Sequence, residues 1–228
     1  LTDKKFVLCM KGIDIESGKR LSEIASEGAG HDRVAVWIGP GHPQEFCRGI
    51  PNCMVIDSAN EALKRELVEA FSGKLIRFYF GSDLIGNEVG AAAKNVIGIA
   101  AGMLDGMGVS SLKGALMARG AREVARLIRA MGGNELSAYG LCHLGDYEAT
   151  VFSRFSHNRQ FGESFVKGEA YTDLAEGYYT VKAMMKLADR YKVELPISTA
   201  VYAVLYEGVP PKAAIDALFE RSLKEEFI

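Results

Sequence analysis

The sequence is poor in the features that most quickly betray a function. It has four cysteines, Cys9, Cys47, Cys53 and Cys142, none in a C-x-x-C pair and none with finger-like histidine spacing. Neither a zinc module nor a disulfide framework is indicated, and reduced thiols in the cytoplasm are expected. No run of about 18 uncharged apolar residues occurs, and the nearest candidate, Val96–Leu104, is too short to span a bilayer, so no membrane partner is expected. Phe6–Met10 lacks the length and small-residue cleavage site of a signal peptide. An excess of one charge is missing too. The 27 Lys and Arg against 29 Asp and Glu leave a formal charge of -2, which argues against nucleic acid and means that an acidic ligand must be met locally. There is no internal repeat and no low-complexity stretch. Nor is there a G-x-G-x-x-G: Gly28-Ala29-Gly30 and Gly39-Pro40-Gly41 both lack the third glycine and the following helix.

What is present reads as two units within 228 residues, with 48% apolar and 25% charged residues, ample for a buried core. Strand signals fall at Phe6–Met10, Val34–Ile38, Met54–Ile56 and Leu75–Phe80, separated by helical patterns at Arg20–Glu27 and Ala59–Phe71. The nearly continuous apolar character of the strands predicts a sheet covered on both faces. From Asp83 onward only helices are predicted, at Asp83–Gly106, Leu112–Met131, Asn158–Lys167, Ala175–Tyr191, Ile197–Tyr206 and Pro210–Leu218. The fold class is α/β over residues 1–82 and all-α over 83–228, with a short, packed joint at Gly81-Ser82-Asp83.

Three constellations could carry chemistry. Gly86, Gly90, Lys94, Gly98 and Gly102 recur at intervals of four, which places one lysine within a ridge of glycines on a helix. Each interior Gly costs about 0.5–1 kcal/mol relative to Ala, so something must approach that face closely. Either another helix packs there, with Lys94 reaching solvent, or a ligand is pressed against Lys94, with Asn95 as a further donor or acceptor. The second constellation runs from Gly145-Asp146 through Thr150 to Ser156-His157-Asn158-Arg159. Ser156 or Asn158 fits an N-cap, and a helix N-terminus with these side chains also fits a phosphate cradle. The third joins Lys11, just past the first strand, to Gly39-Pro40-Gly41-His42-Pro43 after the second. Ligands of open α/β sheets bind at that edge, although a lysine or a Gly/Pro turn there is also ordinary surface.

In order along the chain, Met10-Lys11-Gly12-Ile13-Asp14, Gly39-Pro40, Asp83–Gly86, Lys94-Asn95 with Val96–Gly102, Gly145-Asp146, Ser156–Phe161 and Ala175-Glu176-Gly177 resemble the NAD(P)-dependent glycerol-3-phosphate dehydrogenase family. The resemblance covers almost the whole chain, and the combination is far more specific than any piece. It implies part of an N-terminal Rossmann domain followed by a helical domain like that of 6-phosphogluconate dehydrogenase. The implied activity is metal-free hydride transfer between the nicotinamide of NAD or NADP and glycerol 3-phosphate or dihydroxyacetone phosphate. By similarity, Lys94 and Asp146 are catalytic. Lys11, Gly39, Ser156, Asn158 and, more weakly, Thr150 meet substrate, while Lys11, Pro43, His157, Leu174 and Glu176 meet the cofactor. A lysine suits the reaction, because it can take and return the hydroxyl proton once burial and the second ammonium at Lys11 lower its pKa.

Three departures stand out. His157 takes the place of the family's arginine in Ser-Arg-Asn, with Arg159 as the neighbouring cation, and a mostly neutral imidazole predicts weaker cofactor binding. Gly41-His42-Pro43 replaces a segment with a hydroxyl, which removes a substrate contact. The glycine fingerprint is absent, together with roughly three βα units of about 30 residues each. The chain therefore reads as a truncated form with little activity, able to self-associate as a homodimer through an unpaired sheet edge. On the residues alone, another β-hydroxyacid-type dehydrogenase and a non-catalytic phosphoester-binding or dimerisation module stay open.

Overall fold

The computed structural model describes residues 4–223 and 225–226. Four short strands form one mixed sheet in sequence order: β1 (Phe6–Leu8), β2 (Val34–Ile38), β3 (Asn52–Ser58) and β4 (Ile76–Phe80). β1 and β2 run parallel across helix α1 (Leu21–Ala29), and β3 and β4 run parallel across α3 (Glu61–Phe71), but β2 and β3 are antiparallel. The return from β2 to β3 needs no crossover helix and holds only the single turn α2 (Pro43–Phe46).

Alternation along β2 explains how both faces are buried. Ala35 and Trp37 pack with Ile56, Leu63, Leu67, Val68 and Phe78 under α3. Val36 and Ile38 pack with Val55, Ala91 and Cys142 on the opposite face. Helix α3 starts at Asn60, whose side chain accepts from the Ala62 and Leu63 amides at 2.9 and 3.2 Å, and its leucines at positions 63 and 67 then fall on the sheet side. The expectation of two covered faces fails at β4, where Tyr79 and Phe80 are exposed.

The joint between sheet and helices is short. Gly81 N–H donates to the Ile56 carbonyl at 2.8 Å, and the Asp57 carboxylate accepts from Asp83 N and from Asn87 Nδ2. There α4 (Leu84–Gly106) begins, a 23-residue helix buried on nearly every side, as its composition around Ala91–Leu104 requires. Around it stand α5 (Lys113–Ala130), α6 (His157–Lys167), α7 (Glu176–Tyr191), α8 (Pro196–Tyr206) and α9 (Pro211–Phe219). Each of these five matches a predicted helix to within one or two residues.

The glycines of α4 admit the backbone of α6. A Cβ on Gly102 would lie 1.9 Å from the Arg159 carbonyl oxygen, and one on Gly162 would lie 2.2 Å from that of Ile99. Both sides of the crossing are therefore glycine, and the two helices touch through main chain. This answers the packing half of the question posed by the glycine ridge. Lys94, between Gly90 and Gly98, does not reach solvent.

Candidate active site

Lys94 lies in the middle of α4 with only 8% of its surface exposed. Its Nζ is 2.7 Å from Asp146 Oδ2 and donates to Thr150 Oγ1 at 2.8 Å. The same Asp146 oxygen accepts from Lys11 Nζ at 2.9 Å, and Lys11 also reaches the Gly39 carbonyl at 3.4 Å. Two ammonium groups 83 positions apart in the sequence thus share one buried carboxylate oxygen. Lys11 arrives just past β1, Gly39 just past β2, and Asp146 at the end of a 3₁₀ turn, Leu144–Asp146. Thr150 is carried by a single π-helical turn, Glu148–Phe152.

The two lysines are pulled apart in proton affinity. Burial lowers Lys94 from the usual 10.5 to about 8; Asp146 opposes the fall and Lys11 adds to it. Lys11 pays the same desolvation, but its attraction to Asp146 outweighs that and holds it above the ordinary range. The result is a fixed Lys11–Asp146 ion pair beside an amine that changes protonation near neutral pH. Behind Asp146, the buried His143 is driven down to about 4 by desolvation. Neutral, it donates from Nδ1 to the Gly90 carbonyl at 2.8 Å and accepts from Tyr147 at 2.7 Å.

Gly98, one turn beyond Lys94, links this cluster to the start of α6. A Cβ there would lie 2.7 Å from Thr150 Cγ2 and 3.2 Å from Asn158 Cβ, so these two residues stand side by side over it. Ser156 caps α6, its hydroxyl accepting from Arg159 N at 3.3 Å. Asn158 Oδ1 accepts from Gly177 N at 2.8 Å, and Asn95 donates to Glu176 at 2.9 Å, which fastens the start of α7 to the same place.

Lys94, Asp146, Lys11, Thr150 and Gly39 are therefore brought together, with Asn158 and Glu176 next to them. Three other expected residues are exposed rather than buried with the cluster. Pro43 is exposed at the start of α2, Leu174 is 66% exposed, and His157 is exposed with its Nδ1 on the Tyr171 hydroxyl at 2.9 Å. Arg159, the cation next to His157, is held in an ion pair. Its Nε donates to Asp105 at 2.6 Å.

His42 was visible in the sequence only as part of a Gly/Pro turn. It crosses from the sheet side, donates from Nε2 to the Ala149 carbonyl at 3.0 Å and lies edge-on to Phe155. The positive φ of Gly39 and Gly41, +143° and +132°, gives the strap its path. Among the described residues no three His, Cys, Asp or Glu side chains cluster to hold a metal, and no helix is long and apolar enough to cross a membrane. A groove of about 1030 Å³ between α4, α5, α8 and α9 lies apart from the cluster.

A buried lysine poised near pH 8, a fixed ion pair and a polar helix N-terminus form one site at the edge of a sheet, and sequence relatives decide whose site it is. The family profile described as NAD-dependent glycerol-3-phosphate dehydrogenase C-terminus matches residues 83–216, and its N-terminus counterpart matches residues 1–64. The chain belongs to the NAD-dependent glycerol-3-phosphate dehydrogenase family. A glycerol-3-phosphate dehydrogenase (NAD(P)+) of Thermotoga sp. strain RQ2 is 41% identical over 95% of this chain and 69% of its own length. The enzyme of that name from Thermus thermophilus is 40% identical over 97% and 70%. Among solved structures, the glycerol-3-phosphate dehydrogenase of Coxiella burnetii superposes with a TM-score of 0.86 at 30% identity, covering 95% of this chain and 69% of that one. The Saccharomyces cerevisiae enzyme, at 18% identity and a TM-score of 0.81 over 95% and 68%, shares the fold. Membership in this family of oxidoreductases makes NAD or NADP the cofactor, and the expected partial Rossmann-type sheet with its helical domain holds. The other β-hydroxyacid-type dehydrogenase and the non-catalytic module are not favoured.

Proposed function

We infer that this chain carries the substrate and acid–base half of a reversible dehydrogenation between glycerol 3-phosphate and dihydroxyacetone phosphate. The nicotinamide, when bound, accepts or returns the hydride at the carbinol carbon. The residues of the chain fit that end of a dinucleotide. Parallel β1 and β2 deliver Lys11 and Gly39 to the edge where such ligands bind, beside the buried Lys94, while the sequence carries no G-x-G-x-x-G for a pyrophosphate.

Lys94 takes the hydroxyl proton as the alcohol is oxidised and gives it back as the ketone is reduced. An amine half-protonated near pH 8 serves both directions. Asp146 fixes the amine and keeps Lys11 charged, and the Lys11 ammonium favours the negative charge that develops on the substrate oxygen. The free amides at the start of α6, with Ser156 and Asn158, receive the phosphate. Glu176 borders the nicotinamide, and His157, Pro43 and Leu174 are assigned to its remainder. Thr150 holds Lys94 on the substrate side. The carrying observation is the buried Lys94 amine shared between Asp146 and Thr150 at 2.7 and 2.8 Å.

We divide the chain into a nucleotide-side unit, 1–82, and a catalytic unit, 83–228. We assign it to the cytoplasm, in keeping with four free cysteines. Homodimer formation is also proposed. Calorimetric titration with glycerol 3-phosphate tests the assignment. Asn158→Ala is expected to weaken binding at least tenfold, whereas Lys94→Ala, made in the intact enzyme, retains binding and loses about 100- to 10,000-fold in turnover. Unchanged turnover in Lys94→Ala would exclude the lysine from the chemistry.

A further inference from the structure

The π-helical turn Glu148–Phe152 lies between Asp146 and the Ser156 cap, and its middle residue is Thr150. Turns of this kind give up regular helical pairing and persist mainly where their geometry serves a site. Here the carbonyls on either side of Thr150 are gripped from outside. His42 donates to Ala149 O at 3.0 Å, and Lys113 Nζ donates to Val151 O at 3.1 Å.

Lys113 occupies an unfavourable place. It is 7% exposed and is the first residue of α5, where the helix dipole disfavours a cation. Asp105, in the last turn of α4, compensates. Its Oδ2 accepts from Lys113 at 2.6 Å and from Arg159 Nε at 2.6 Å, and its Oδ1 accepts from Ser110 at 2.6 Å. The Lys113 ammonium also lies 5.2 Å from the centre of the Phe152 ring. Asp105 is roughly 16 Å along α4 from Lys94 at 1.5 Å per residue, so it does not act on the reacting amine by direct contact.

We propose that Lys113, anchored by Asp105, is a positioning residue for Lys94: it grips the π-helical turn by the Val151 carbonyl and so presents the Thr150 hydroxyl to the amine as an acceptor. The role rests on the assignment of Lys94 as the acid–base group. The charged and titratable groups around Lys94 are Asp146 and Lys11 in contact, with His143 behind Asp146 and Glu176 acting through Lys11. Against that fixed background, the Thr150 acceptor favours the ammonium form, and its loss lowers the pH at which Lys94 becomes neutral.

The test reads the amine itself and needs no turnover. Acetylation of the intact chain with trace acetic anhydride, followed across pH by mass spectrometry of the Lys94 peptide, gives its titration midpoint. Thr150→Val and Lys113→Met are each expected to lower the midpoint by about half to one pH unit, the scale of a hydrogen bond to a charged group partly replaced by water. Their combination moves it no further, and Lys113→Arg keeps the wild-type value. A midpoint unmoved by Lys113→Met while Thr150→Val shifts it, or additive shifts in the double variant, overturns the role of Lys113 and leaves Lys94 in place. If Lys113→Met does not fold, Asp105→Asn, which releases the anchor, is read in the same way. A wild-type midpoint at the ordinary 10.5 overturns the assignment of Lys94 and this proposal with it.

Discussion

Replacing Asp146 by Asn probes the site where its electrostatics are most exposed to test. One oxygen of Asp146, on a side chain that is 1% exposed, neutralises both Lys94 and Lys11. The Asn variant removes that charge and leaves the buried Lys94 amine facing the part-buried Lys11 ammonium. At an effective dielectric of about 20, a unit charge about 4 Å away is worth about 4 kcal/mol, or roughly three units on the pH scale. Lys94, already at about 8, should then lose its proton well below pH 7. The two directions of the reaction report the shift on opposite limbs of their pH profiles. Ketone reduction needs the ammonium, so its kcat/KM at pH 7 should fall by about 100-fold and its alkaline limb should move to lower pH. Alcohol oxidation needs the neutral amine, so its acid limb should move the same way, and because both directions pass through one transition state its kcat/KM at pH 7 should fall by a similar factor, the weaker base offsetting the larger neutral fraction. Steady-state kinetics in both directions between pH 5 and 9 measure this. Limbs that stay at their wild-type positions would refute the reasoning.

Other substitutions reach the supports of the site. Gly102→Ala puts a methyl 1.9 Å from a main-chain oxygen of α6 that cannot move aside, so a loss of more than about 3 kcal/mol or failure to fold is expected in urea denaturation. His143, neutral in the fold with a pKa of about 4 against 6.5 unfolded, contributes stability that is complete above pH 6.5 and lost as pH falls toward 4; the loss is about 3 kcal/mol in thermal or urea unfolding and is absent in His143→Gln. His157→Arg places a permanent cation at the exposed start of α6 and should tighten NADH binding by about three- to tenfold by fluorescence titration, whereas equal affinities would take residue 157 out of cofactor binding.

Much of this architecture was legible because it is written in local patterns. The period of apolar residues and the cap at Ser156 mark helices, and a four-residue glycine spacing around one lysine marks a close approach. Sequence order does not reveal strand direction: the apolar run Met54–Ile56 reads the same in either sense, and only its pairing with β2 makes it antiparallel. The π-helical turn was hidden for a similar reason. Glu148–Phe152 has no residue that demands it, and its shape depends on Lys113, distant in sequence, and on His42 across the cleft. Arg159 read only as the cation next to His157, and that it pairs with Asp105, distant in sequence, was not legible. Charges were countable from the sequence, but their partners were not.

The central claim is that the Lys94 amine exchanges a proton with the substrate oxygen, and chemical rescue addresses it most directly. Lys94→Ala leaves a space the size of an alkylamine in a buried pocket bordered by Asp146 and Thr150. Added methylamine or ethylamine is expected to restore dihydroxyacetone phosphate reduction in a saturable manner, with a rate that follows the pKa of the amine. A Lys94→Ala enzyme that turns over at the wild-type rate without any amine would contradict the account.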